Sequence, residues 1–130
     1  MLSLKLNALK NRKNRSAFTL IEIMIVVLII GILLAIAVPN FVRARESSRA
    51  KACVANLKQI DSAKEQYAMD NKLAAGAGAP AMTSLVGSAN YIKNTPNCPS
   101  SGTYTVDVIG TSPSCSVGGT AGAYNAHTLP

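Results

Sequence analysis

Hydrophobic residues run almost without interruption from Phe18 to Val42, a stretch of 25 residues in which only Thr19, Glu22, Pro39 and Asn40 break the pattern. About 20 residues at 1.5 Å rise each cross the hydrocarbon core of a bilayer, so this run predicts a helix long enough to span one. The pattern then changes. Ala50, Cys53, Leu57, Ile60 and Tyr67 recur at intervals of three, four, three and seven, the stripe of an amphipathic helix. Arg43, Arg45, Glu46, Arg49, Lys51, Lys58, Asp61, Lys64, Glu65 and Asp70 take the other faces. Helical character ends at "KLAAGAGAP", where Gly76, Gly78 and Pro80 stand close together. The predicted helix therefore runs from Phe18 to Leu73, about 80 Å in length.

After that helix the periodicity shortens. "AMTSLVGSANYIKNTPNCP" suits a short helical turn and an irregular connection, with Tyr91 and Ile92 folding back on the stripe. "GTYTVDVIG" alternates, with Tyr104, Val106 and Val108 on one face, and "SCSV" is placed to pair with it across "GTSP". The ending, rich in Gly, Ala and Thr, reads as a surface loop or tail. The fold class is α+β: a long N-terminal helix packed on a small C-terminal antiparallel sheet. The chain divides into a leader at 1–17, an apolar helix half at 18–42, an amphipathic half at 43–73 and a loop-and-sheet domain at 74–130.

Charge sharpens the N-terminal reading. The net charge of +7 suggests nucleic acid, but Lys5, Lys10, Arg12, Lys13 and Arg15 all precede Phe18, and the chain from there on carries eight basic and six acidic residues. The basicity belongs to the leader, and cationic flanks hold an N-terminus in the cytoplasm. No basic-aromatic surface suggests base stacking, so nucleic acid is not an expected partner. Four cations between Arg43 and Lys51 lie next to the apolar run, where they face water or lipid headgroups.

Three processing schemes fit these residues. Residues 18–42 form a signal anchor; or Ala35-Ile36-Ala37 is a signal-peptidase site that releases a soluble binding domain starting at Val38; or the leader is cut before Phe18 and the apolar run becomes the mature N-terminus. Only the last gives Glu22 a task, because a lone carboxylate at bilayer depth costs about 2.5–3.5 kcal/mol or more.

The string "AFTLIEIMIVVLIIGILLAIAVPNF", behind a short basic leader, resembles the N-terminal signature of type IV pilins and of the pseudopilins of type II secretion. The resemblance covers residues 12–50. It implies cleavage between Ala17 and Phe18 by a prepilin peptidase, N-methylation of Phe18, and polymerisation by an assembly ATPase and an inner-membrane platform protein into a helical homopolymer. Before assembly the subunit sits in the inner membrane among lipids with its leader in the cytoplasm; afterwards it lies in a periplasmic or extracellular filament. Glu22 then pairs with the Phe18 amine of a neighbouring subunit, so that only the correct stagger relieves its burial and wrong registers are expensive. Gly31 and Pro39 mark the segment expected to bend or loosen. Ala17 departs from the glycine usual before the cut.

Candidate chemistry elsewhere is sparse. Cys98 and Cys115 bracket the strand pair and form the expected disulfide, with Cys53 a reduced helix residue; Cys53 to Cys98 is the next pairing. His127 sits in a polar ending and is expected to be solvated. The cysteines lack C-x-x-C spacing, which argues against zinc. The calcium loop of some pseudopilins needs several oxygen ligands, and Asp107 is the one carboxylate after Asp70, which tilts the reading toward a pilus subunit. No cofactor and no catalytic constellation are expected.

Overall fold

The computed structural model describes residues 17–119 and 123–130; of the leader, only its last residue, Ala17, lies within the described residues. The order of elements is α1 (Leu20–Asp70), α2 (Met82–Leu85), β1 (Tyr104–Thr105) and β2 (Ser114–Cys115). Contacts divide the chain into two units, Met1–Ala37 and Val38–Pro130. In the first, every described side chain is exposed, and α1 carries the one candidate membrane span among the described residues. Gly31 lies within helix here, and a Cβ on it would meet nothing within 4 Å.

The second unit contains the core. α1 continues past Pro39 to Asp70 and buries Ala50, Cys53, Leu57, Ile60, Ala63, Lys64 and Ala68, a stripe with a repeat of three and four. One cluster joins Ile60 and Ala63 to Leu85, Ile92 and Val106, with Tyr67 and Tyr91 at its edge in a T-shaped pair, ring centroids 6.2 Å apart. A second joins Cys53 and Leu57 to Cys98 and Cys115, flanked by Tyr104 and Leu129. The expected return of Tyr91 and Ile92 to the helix stripe is thus observed.

Several expectations need correction. The helix stops at Asp70, before the glycines. Lys72 adopts a left-handed conformation (φ 56°), the Leu73 N–H donates to Ala68 O (2.9 Å) and the Lys72 N–H to Met69 O (3.2 Å). That pair of bonds is a Schellman ending with lysine in the seat glycine usually takes. The strand is also shorter than the alternation suggested. β1 and β2 pair antiparallel with Tyr104 opposite Cys115 and Thr105 opposite Ser114. Asp107 turns to φ 58°, so Val106 and Ile109 are buried while Val108 faces out. The Asp107 carboxylate accepts a hydrogen bond from the Ser114 hydroxyl (3.0 Å), tying the two arms together.

With so little sheet, side chains of α1 anchor the loops that cover it. Asn56 Nδ2 donates to Asn97 O (2.9 Å) and to the Tyr104 hydroxyl (3.0 Å). Lys64 is fully buried, not on a wet face; its ammonium donates to the carbonyls of Val106 (3.2 Å) and Thr111 and lies 3.5 Å from Asp61. Gly76 and Ala77 pair with Ile109 in both directions (2.8 and 3.1 Å). The described part of the ending is not a free tail: Ala126 and His127 are buried, and the His127 N–H donates to Gly118 O (2.8 Å).

Candidate functional sites

The N-terminal site begins at Ala17 and Phe18, both exposed and both ahead of the first helical residue. Thr19 caps α1. The Glu22 N–H donates to Thr19 Oγ1 (3.3 Å), and the Thr19 N–H donates back to Glu22 Oε2 (3.3 Å). This reciprocal pair is a capping box, T-x-x-E, which satisfies two of the helix's orphan donors and sets a carboxylate in the first turn. The sequence carried that signal in "TLIE", and reading Glu22 for its charge alone missed it. Glu22 is therefore held in position within one chain, and among the described residues the ion pairs are Glu46–Arg49 and Asp61–Lys64, neither of which involves it. From Phe18 to Val42 the apolar side chains are all exposed.

The second site lies in the Val38–Pro130 unit. Cys53 from α1, Cys98 from the loop before β1, Cys115 from β2 and His127 from the C-terminal segment converge, their ligand atoms all within 4.8 Å of one another. All four residues are buried. Cys98 Sγ stands 3.8 Å from Cys115 Sγ and 3.7 Å from His127 Nδ1, and all three cysteines are free thiols. Spacing along the chain gave no sign of this grouping, because each residue comes from a different segment.

The loop carrying Cys98 is folded to serve its sulfur. The Ser101 N–H donates to Cys98 O (3.1 Å) and Ser101 takes φ 59°, which curls the chain after Pro99. Burial works against ionising Cys98, but the backbone N–H groups of Ser100 and Gly102 together with Cys115 and Cys53 outweigh it and hold its pKa below the ordinary thiol value. Cys53 behaves oppositely. Burial foremost pushes it up to about 12, opposed by the Tyr104 hydroxyl and reinforced by Cys115 and Cys98. Tyr104 is itself pushed up, chiefly by burial and then by Cys53. Gly102 leaves room for the sulfurs: a Cβ there would fall 2.6 Å from Cys115 Sγ and 3.2 Å from Cys98 Sγ.

Comparison with known proteins concerns mainly the first site. Residues 12–38 match the family model described as the prokaryotic N-terminal methylation motif. The chain is 49% identical over 57 residues to the type IV major pilin protein PilA of Myxococcus xanthus, covering 44% of this chain and 26% of that one. It is 40% identical over 60 residues to the type II secretion system core protein G of Pseudomonas aeruginosa, covering 46% and 42%. Against the ComG operon protein 3 homolog of Bacillus licheniformis the identity is 33% over 86 residues, covering 66% of this chain and 84% of the relative. The chain thus spans less than half the length of the first two and most of the third. No solved structure gives a significant match.

Proposed function

The chain belongs to the family of pilins and pseudopilins that carry the N-terminal methylation motif, and from that membership we propose that it is a structural subunit which polymerises through its N-terminal helix into a pilus or pseudopilus. One observation carries the reading: an apolar half-helix, wholly exposed from Phe18 to Val42, joined to a helix half that has its own folded cover. Such a surface fits a bilayer first and the packed helices of a filament afterwards. Family membership supports a structural rather than an enzymatic role and a membrane-anchored precursor.

The finer steps are part of the proposal. A prepilin peptidase cuts between Ala17 and Phe18, the new amine of Phe18 is methylated, and an assembly ATPase with an inner-membrane platform protein draws subunits into the filament. Glu22, fixed by its capping box, accepts the charge of a neighbour's Phe18 amine. Because an unmatched carboxylate in an apolar surrounding is costly, the correct stagger alone removes the penalty.

The capping box supplies the test. Glu22→Gln keeps an N3 side chain able to close the box while deleting the charge, whereas Thr19→Ala deletes the cap and keeps the charge. With membrane insertion and cleavage intact in all variants, filament yield is expected to fall at least about tenfold in Glu22→Gln and to survive in Thr19→Ala. Normal yield from Glu22→Gln would reduce Glu22 to a helix cap. For the whole reading, intact mass and N-terminal sequence of the mature protein should give methylated Phe18; a start at Val38 would replace the filament subunit with a released soluble domain.

A further inference from the structure

We propose that Cys53, Cys98, Cys115 and His127 form a structural zinc site that fastens the C-terminal region of the chain to α1. The inference is independent of the filament reading. Three soft sulfurs and one imidazole are a ligand set that selects zinc among common divalent ions, and four protein ligands leave no open position, as in structural sites.

Two of the six ligand–ligand edges match those of a single tetrahedral ion, and all six lie within 4.8 Å. Zinc–sulfur bonds of about 2.3 Å and zinc–nitrogen bonds of about 2.0–2.1 Å place two sulfurs about 3.8 Å apart and a sulfur and nitrogen about 3.5 Å apart on a tetrahedron's edges. The observed edges are 3.8 Å for Cys98 to Cys115 and 3.7 Å for Cys98 to His127 Nδ1. A disulfide would need those two sulfurs at about 2.05 Å. It would also leave His127, a buried polar side chain, beside the pair without a task. The disulfide and the four-ligand site compete for the same two sulfurs, and only the latter uses all four residues.

Among the described residues, the buried side-chain polar atoms without a partner are the hydroxyls of Ser100 and Thr128, each close in sequence to a ligand. The fold has need of a clasp. Beyond Asp70 the described residues contain one four-residue helix and two two-residue strands, too little regular structure to hold a small domain unaided, and a structural metal is one of the usual remedies. Its binding energy becomes folding energy.

Full-length protein purified in detergent without added chelator tests the assignment. Elemental analysis is expected to find about one zinc per chain, with three thiols that alkylate rapidly only after denaturation with chelator. Exchange for cobalt should yield intense visible bands of tetrahedral geometry and a near-ultraviolet thiolate charge-transfer band. Cys53→Ala and His127→Ala, which a Cys98–Cys115 disulfide would not notice, should each lose the zinc and lower the thermal midpoint to that of chelated wild type. Zinc-free protein holding a Cys98–Cys115 disulfide would overturn the site, as would wild-type zinc content in both variants. If those variants fail to fold, the cobalt spectrum of the wild type decides alone: without thiolate bands the proposal is wrong.

Discussion

Lys64 illustrates how a single residue can be placed correctly by spacing and wrongly by type. It stands four residues after Ile60 and seven after Leu57, squarely on the buried stripe, yet its charge suggested the solvent face. The structure sides with spacing because the ammonium finds acceptors in Val106 and Thr111, carbonyls of a segment too irregular to satisfy them in a sheet. Substituting methionine keeps the apolar stem and deletes the donors. Lys64→Met is expected to cost about 2–3 kcal/mol, the usual loss when buried acceptors of a charge-assisted bond are orphaned. Asp61→Asn, at the half-exposed end of the same ion pair, should cost under about 1 kcal/mol. Chemical denaturation of the full chain in detergent checks both; equal losses would mean that the ion pair, not the carbonyl bonds, fixes Lys64. The four converging ligands were hidden for a related reason. Cys53 showed as an apolar stripe member, and nothing local links position 53 to 98, 115 or 127.

At the scale of the element, what was legible depended on how many residues shared one period. In α1 the apolar run to Val42 and the three-and-four repeat that begins at Ala50 are each long enough to make the helix, its apolar start and its buried stripe legible. Two-residue strands repeat nothing, and the alternation of "GTYTVDVIG" was broken by the left-handed turn at Asp107, a conformation asparagine and aspartate tolerate. The helix end was missed by three residues because Lys72, not one of the nearby glycines, occupies the left-handed seat. That choice carries a cost. A non-glycine residue in this conformation loses about 1–2 kcal/mol, part of which glycine's greater freedom in the unfolded chain would give back. Lys72→Gly is therefore expected to stabilise the Val38–Pro130 unit by about 0.5–1 kcal/mol, raising its thermal midpoint by a few degrees. A lowered midpoint would show that the lysine side chain contributes more than its backbone strain removes.

The whole molecule carries two kinds of chemistry in its two contact units: a charge set in an apolar surface, and a set of soft ligands set in a core. On the proposed scheme the first acts against another subunit, and the apolar side chains around Glu22 are uncovered in the single chain. The second is complete within one chain. Sites that lie in different contact units and share no partner among the described residues should respond independently to substitution. Glu22→Gln is expected to keep its zinc and the thermal midpoint of its folded unit while failing to assemble. On the proposed scheme, in which a peptidase reads the motif matched at 12–38 and not the folded part, His127→Ala is expected to be inserted and cleaved before Phe18 as the wild type is. Its defect should appear later, as subunits whose C-terminal region is cut by added protease and which enter filaments poorly. Immunoblots of membrane fractions, with zinc measured on the same samples, separate the outcomes. Uncut precursor in His127→Ala, or lost zinc in Glu22→Gln, would reveal a coupling between the two units that the division of contacts gives no reason to expect.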